Sequence, residues 1–380
     1  MIKVLHVSPA YFPATYWGGP IHSLLALCNA LHATGRVDLR VLTTDASGPR
    51  WRDRLPRDGA GIPPFGYEVT YAKKTLGADV SLELLAKLAW GVAWADVVHL
   101  TGAYSFPTIP TLVACRMQRK PLVWSPRGAF QRWSGSTRRG LKYGWERCCE
   151  LLLRPGGSVI HVTSELERSG SEGRVRGAPI EVIPNGVDIP AAPAARTWRS
   201  GGALNLVYVG RLHPIKGLEN LLRGLAQSAS VPWRLRVCGD GDPAYARELN
   251  GLCAALGIEP RVQFVGHVDN TQKTGEFLAA DACVVPSFSE SFGMVVVEAL
   301  ANGVPVIVSR GAPWEEIEAR GCGSWVDNSP ESLGHAIASL EGRDLEEMGR
   351  RGRTWMMESF GWEAVASQML GCYGRLVGDR

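Results

Sequence analysis

Two carboxylates eight residues apart, Glu290 and Glu298, stand in the stretch Ser287-Phe288-Ser289-Glu290-Ser291-Phe292-Gly293-Met294-Val295-Val296-Val297-Glu298-Ala299. A short β-branched run and Pro286 precede it, so Glu290 falls in a loop and Glu298 inside a helix that starts near 291–293. The first-turn N–H groups and the positive end of that helix face the loop. Glu298 is flanked by Val295, Val296, Val297, Ala299 and Leu300, a setting in which a carboxylate must find partners, and ribose hydroxyls would serve. The plainer alternative is a Glu favoured by the helix dipole and a second Glu on a wet helix face. Two cations form another group. Val209-Gly210-Arg211 closes a strand, and Lys216-Gly217 stands just before a helix, with Pro214 between. A guanidinium fork and a compact ammonium could converge on a diphosphate, or they could be two solvated loop cations. Upstream, Tyr16-Trp17-Gly18-Gly19-Pro20 opens a helix at Ile21. Adjacent glycines admit close backbone approach to a ligand and a helix N-terminus offers N–H groups to an anion, although an ordinary strand-to-helix loop would read the same.

These residues need a frame that gathers strand ends. The first half alternates short apolar strands at 3–7, 39–43, 96–100, 122–125 and 159–163 with amphipathic stretches at 21–33, 82–94 and 136–154. The second half starts afresh, with strands at 204–209, 234–238, 262–265, 282–285 and 304–308 and helices at 218–228, 244–256, 293–301 and 332–340. Continuous apolar strands separated by helices predict parallel strands covered on both faces. The expected fold class is therefore α/β, two doubly wound Rossmann-like domains facing across a cleft, with ligands outside the carboxyl ends of the strands. The turn-rich stretch from Pro184-Asn185-Gly186-Val187-Asp188 to Gly201-Gly202 marks the join. Domains are expected at 1–187 and 188–360, with a helix at 361–377 striped by Trp362, Val365, Met369, Tyr373 and Leu376. A long surface loop is expected at 48–66.

Composition narrows the function classes. A chain of 380 residues suits two domains, and 45% hydrophobic residues suffice for ordinary cores. The net charge of +4 is uneven: residues 120–154 hold eight Lys or Arg against two Glu. With no zinc-finger, recognition-helix or stacking pattern, this patch points to a surface or a ligand rather than to nucleic acid. Nine cysteines, odd in number and without metal spacing, read as buried reduced thiols. Residues 2–7 read as a strand rather than a signal peptide, and no apolar run spans a membrane, so a cytoplasmic location is expected. Neither H-E-x-x-H nor G-x-S-x-G occurs, and neither a metal nor a cofactor is expected.

Glu290-x7-Glu298 with its inner Ser-Phe-Gly resembles the signature of the family-four retaining glycosyltransferases of GT-B architecture. The supporting pieces are Gly18-Gly19, Val162-Thr163-Ser164-Glu165, Ile183-Pro184-Asn185-Gly186-Val187-Asp188, Tyr208-Val209-Gly210-Arg211-Leu212, Lys216-Gly217 and Gly239-Asp240-Gly241, in the family's order over nearly the whole chain. The resemblance implies that Arg211 and Lys216, beside Gly210, hold the donor diphosphate and stabilise the leaving charge. It implies that Glu290 binds sugar hydroxyls near Ser291 and the Phe292 and Gly293 N–H groups, and that Glu298 accepts from the ribose. Gly18 and Gly19 would approach the phosphates, and the base would sit by Gly239, His267 and Val268. The implied chemistry is metal-independent front-face transfer from a nucleotide diphosphate sugar, UDP favoured over GDP, to a saccharide or lipid-linked acceptor in surface polysaccharide assembly.

Two departures concern the acceptor side, which the resemblance assigns to the first domain. Where many relatives carry His-Gly, this chain has Arg127-Gly128, and Arg127 cannot act as acid or base but could pair with an anionic group. Where many carry H-x-H, it has His99-Leu100-Thr101, and His99 reads as a strand-end residue before a catalyst. The basic segment 132–154, with Leu141, Trp145, Cys148 and Leu152 on one helical face, could lie on an anionic membrane or pack on its own sheet. A phosphorylase on the same fold and a catalytically silent binding subunit are the competing functions.

Overall fold

The computed structural model describes residues 1–56, 61–131, 139–190, 196–199, 202–228 and 231–378. The chain divides into two units, Met1–Gly186 with Trp362–Arg380, and Val187–Gly361.

The first unit contains β1 (Ile2–Val7), α1 (Gly19–Ala33), β2 (Val37–Thr44), β3 (Glu68–Ala72), α2 (Leu82–Trp94), β4 (Val97–Thr101), α3 (Thr108–Met117), β5 (Leu122–Ser125), α4 (Arg139–Leu152), β6 (Ser158–Val162), α5 (Glu165–Ser171) and β7 (Ile180–Val182). Its seven strands lie in the order β3-β2-β1-β4-β5-β6-β7, and every pairing is parallel. Successive side chains of a strand point to opposite faces. Accordingly Val4, Val97, Val123 and Val159 enter one core, and Leu5, Val98, Trp124 and Ile160 enter another. Both faces are therefore covered, which is why these strands read as continuous apolar runs.

The second unit contains β8 (Leu204–Val209), α6 (Leu218–Gln227), β9 (Trp233–Cys238), α7 (Pro243–Ala255), β10 (Val262–Gly266), α8 (Asn270–Ala279), β11 (Ala282–Val285), α9 (Met294–Ala301), β12 (Val306–Ser309), α10 (Glu316–Ala319), β13 (Gly323–Val326), α11 (Pro330–Ala338) and α12 (Leu345–Ser359). Its six parallel strands run β10-β9-β8-β11-β12-β13. In α6 the leucines 218, 221, 222 and 225 form one buried stripe at helical spacing. The chain then returns to the first unit as α13 (Trp362–Gly378), whose Val365, Met369 and Tyr373 join the core of Leu24, Leu31 and Val97.

In each sheet the strand order reverses beside the first strand, between β1 and β4 and between β8 and β11. Crevices for ligands open at such switch points, at the carboxyl ends of the strands. The fold class expected from the sequence, doubly wound α/β in two Rossmann-like units, is the one observed.

Several elements exceed the sequence reading. Strand β3 is a half-exposed edge strand, and β7 has three residues, so neither shows an apolar run. Helix α12 buries Leu345, Met348, Gly349, Gly352, Trp355 and Met356, a helical stripe disguised by two glycines. A Cβ at Gly349 would lie 2.0 Å from the Gly303 carbonyl oxygen, so close packing demands glycine there.

Helix α4 buries only part of the stripe expected for it. Trp145, Cys149, Leu152 and Leu153 pack on the core, whereas Leu141 is 75% exposed and Cys148 is exposed. The first part of the basic segment, residues 132–138, lies outside the described residues. All nine cysteines are free thiols, and all but Cys148 are buried.

Candidate active site

In the second unit the loops after β8, β9, β10, β11 and β12 lie at one end of the sheet. Backbone bonds knit them together. Gly210 N donates to Cys238 O at 2.9 Å, Gly239 N to Gly266 O at 2.7 Å, Leu212 N to Asp240 O at 2.9 Å, and Glu290 N to Gly311 O at 2.8 Å. Glycine is required at two positions in these loops. Gly239 has φ +145°, and a Cβ there would sit 1.9 Å from Gly210 O. Gly217, left-handed at φ +65°, would place a Cβ 2.1 Å from Pro286 O.

Lys216 ends a 3-10 turn, Pro214–Lys216, and Gly217 then caps α6. This turn carries the ammonium to the loop after β11, where Lys216 Nζ meets Glu290 Oε1 at 2.5 Å. Ser287 Oγ donates to the same carboxylate oxygen at 2.7 Å. Both members of the ion pair retain partial exposure, 19% for the Lys216 side chain and 16% for Glu290. The cation and the carboxylate read from separate motifs are thus one pair 74 residues apart in sequence. Arg211 is exposed, makes no ion pair among the described residues, and fixes its backbone by accepting the Tyr208 hydroxyl at 2.9 Å. A point charge already paired and an exposed guanidinium at one sheet end suit a ligand carrying both hydroxyl and phosphate groups.

The signature phenylalanine is structural. Phe292 is buried against Trp314, and the Trp314 indole donates to its carbonyl oxygen at 2.5 Å. Gly293 turns left-handed at φ 84° as the N-cap of α9, and the partly buried Ser291 precedes it. Glu298, half-buried on α9, pairs with Lys273 Nζ of α8 at 2.7 Å. Burial raises the Glu298 pKa, and the Lys273 charge works against that rise. Nothing in the polar run Asn270-Thr271-Gln272-Lys273 marks Lys273 as that partner. Ser287, by contrast, stands inside the signature itself. His267 is exposed and the half-buried Val268 packs on the core.

Asp240-Gly241-Asp242 has the spacing of a metal-binding D-x-D, but Asp242 caps α7 by accepting from Ala244 N at 2.8 Å. Among the described residues no three ligating side chains come together to hold a metal.

In the first unit, Gly18 adopts φ 68° between the 3-10 turn Thr15–Trp17 and α1, and Gly19 is the first residue of α1. A buried polar network lies at the ends of β1, β4, β5 and β6. His161 Nε2 donates to Ile183 O at 2.9 Å, so its Nδ1 accepts from Ser125 Oγ at 2.6 Å. The serine then accepts from His99 Nε2 at 2.6 Å, and His99 Nδ1 accepts from the Tyr373 hydroxyl at 2.6 Å. His6 stacks on His99 at 4.2 Å and meets Thr101 Oγ1 at 2.8 Å. Burial foremost, and then the charge of Arg127, push His6 and His161 down to about 3. Burial likewise lowers His99 well below its ordinary value. His99 is fully buried with both ring nitrogens occupied, and Thr101 is 6% exposed. These two acceptor-side candidates are therefore core groups in this state.

Arg127 adopts φ 54°, an uncommon conformation for a residue with a Cβ. Its Nη1 donates to Asn185 Oδ1 at 2.6 Å, while Nε and Nη2 are buried without hydrogen-bond partners among the described residues. Gly128 N donates to Glu167 at 2.5 Å, and the other oxygen of Glu167 accepts from Thr163 N at 2.8 Å. The 163–167 motif thus holds the Arg127 loop in place.

Comparison with known proteins follows the same division. Residues 17–190 match the profile described as Glycosyltransferase Family 4, and residues 198–355 match the profile described as Glycosyl transferases group 1. A D-inositol 3-phosphate glycosyltransferase of Corynebacterium glutamicum is 30% identical over 257 residues, 61% of this chain and 61% of that protein. A GDP-mannose-dependent alpha-(1-6)-phosphatidylinositol dimannoside mannosyltransferase of Mycobacterium tuberculosis is 32% identical over 223 residues, 56% of this chain and 55% of its own. The chain therefore spans 55–61% of the length of these curated relatives. Among solved structures, a sucrose-phosphate synthase from Thermosynechococcus elongatus superposes over 100% of both chains with a TM-score of 0.77 at 22% identity, a likeness of fold. With the two profiles covering most of its length in the expected order, the chain belongs to the group 1, family-four glycosyltransferases, with the GT-B class of fold.

Proposed function

We propose that the chain transfers a sugar from a nucleotide diphosphate sugar to a saccharide or lipid-linked glycan, with retention at the anomeric carbon and without a metal ion. The observation that carries this reading is the Lys216–Glu290 pair at 2.5 Å, braced by Ser287, at the carboxyl ends of β8 and β11. A donor diphosphate would draw Lys216 and Arg211 onto its oxygens and free Glu290 for the sugar hydroxyls. The positive groups would then face the charge that grows on the leaving diphosphate. The diphosphate itself would take the acceptor proton, so the protein supplies positioning and electrostatics rather than a nucleophile. Glu298, beside Lys273, would accept from the ribose, with Gly239, His267 and Val268 at the base. Gly18 and Gly19 are assigned to phosphate approach, and Arg127 and Gly128 to the acceptor side.

UDP is the favoured nucleotide, and the mycobacterial relative named for GDP-mannose makes GDP the comparison to run. A cytoplasmic site of action on surface polysaccharide, peripheral to the inner membrane face, completes the proposal. Its support is α4, where Leu141, Tyr143 and Leu151 are exposed among the cations of a basic segment. No helix among the described residues is long and apolar enough to cross a membrane.

The test is release of nucleotide diphosphate from a panel of UDP-, GDP-, ADP- and TDP-sugars by purified protein, with Glu290→Ala and Lys216→Ala alongside. Release from one donor, lost in both variants and unaffected by a chelator, is the expected result. No binding and no release from any donor by folded protein would make the assigned roles wrong. Once an acceptor is found, NMR of the product's anomeric configuration tests retention.

A further inference from the structure

Lys273 lies near the start of α8, just after the loop that carries His267 and Val268. A capping box sets where this helix begins: Gln272 N donates to Asp269 Oδ1 at 2.8 Å, and Asp269 N donates to Gln272 Oε1 at 2.9 Å. Lys273 follows directly, and a cation so near the positive end of a helix is disfavoured by the dipole. The carboxylate three residues on, Glu276, offers no relief. It is held by Arg236 through Nε and Nη2, both at 2.6 Å. The Lys273 ammonium instead crosses to α9 and donates to Glu298 Oε1 at 2.7 Å.

Both carboxylates of the signature therefore carry a lysine brought from another element, Glu290 from the turn before α6 and Glu298 from α8. The two pairs are alike in exposure, 19% and 16% for Lys216 and Glu290, 20% and 24% for Lys273 and Glu298. Each remains open to a ligand. Oε2 of Glu298 accepts no hydrogen bond among the described residues. Three further features bear on its charge. Burial foremost, and then the charge of Asp188 from the junction, favour the protonated form, and Lys273 opposes both. Burial and then Glu298 push up the Cys283 thiol of β11, so it stays neutral beside the pair.

We propose that Lys273 is a positioning residue for the nucleotide, clamping Oε1 of Glu298 so that Oε2 accepts from the ribose hydroxyls. This rests on the ribose role given to Glu298 in the proposed function. An ionised acceptor makes shorter and stronger hydrogen bonds than a neutral one. The lysine thus serves the ribose contact twice, by fixing the carboxylate and by keeping it charged.

The test is calorimetry with UDP and GDP, each beside its 2′,3′-dideoxy form, on the unaltered protein, Lys273→Met and Lys273→Arg, repeated as pH is lowered. Lys273→Met should weaken ribonucleotide binding about tenfold or more, as for loss of a charged hydrogen bond. Binding of the dideoxy form should be unchanged, which also shows a folded variant. Affinity for the ribonucleotide falls as pH drops through the Glu298 pKa, so the fall should begin at higher pH in Lys273→Met, and Lys273→Arg should restore both affinity and profile. Equal weakening for the ribo and dideoxy forms overturns the proposal and leaves Lys273 a structural ion pair. Unchanged ribonucleotide affinity and pH profile in Lys273→Met overturns it while the donor site stands. No binding of either nucleotide by the unaltered, folded protein overturns it together with the ribose role of Glu298.

Discussion

The buried histidines of the first unit make its stability depend on pH in a calculable way. His6 and His161 are held at about 3 in the folded chain, against about 6.5 for an exposed imidazole. Above pH 6.5 both states are neutral and these groups contribute no pH dependence. Below 6.5 the unfolded chain takes up protons that the folded chain refuses, so stability falls as pH falls, until about pH 3. At pH 5.0 each group is 1.5 units below its unfolded value, a loss of about 2 kcal/mol. The two together remove about 4 kcal/mol, a large share of the ~5–15 kcal/mol of a typical domain. Burial of His99 acts in the same direction. The perturbation is His161→Gln, compared with the unaltered chain from pH 7.5 to 4.5. Urea unfolding is read through hydrogen exchange of the β4, β5 and β6 amides, which isolates the first unit from the second. The variant should show a slope shallower by about 1.4 kcal/mol per pH unit below pH 6. An unchanged slope would refute the neutral, buried state of His161. A general acid or base works best with a pKa near the operating pH, so the expected result also assigns this network to structure rather than proton transfer.

Other perturbations probe the second unit and the return of the chain. Glu290→Gln keeps the shape and removes the charge facing Lys216, and donor turnover should fall by about 100-fold in a nucleotide-release assay. Lys273→Ala leaves Glu298 half-buried without its cation. Denaturant titration should show a loss of about 1–3 kcal/mol, with a higher Glu298 pKa by NMR. Gly239→Ala drives a Cβ to 1.9 Å from Gly210 O, so nucleotide binding measured by calorimetry should be lost while the first unit keeps its exchange protection. Tyr373→Phe deletes the donor to His99 Nδ1 inside the core. It should destabilise the first unit by about 1–3 kcal/mol in the same urea assay.

The central strands of both units were legible because a sheet covered on both faces demands unbroken apolar runs, as in Ile2–Val7 and Ala282–Val285. Their order implied two doubly wound units, and strand ends followed by Gly210-Arg211 or Ser287–Glu290 implied where chemistry would gather. Edge strands such as β3 escaped notice because one half-exposed face breaks the run, and α12 did so because close packing replaced apolar side chains with glycine. Sequence alone could also place Lys216 and Glu290 at the carboxyl ends of strands, since each follows one. Only tertiary structure joined them into one pair, matched Glu298 to Lys273, and drew Tyr373 from the far end of the chain onto His99. Contacts across 74, 25 and 274 residues depend on how sheets and helices pack, and local pattern carries no record of them.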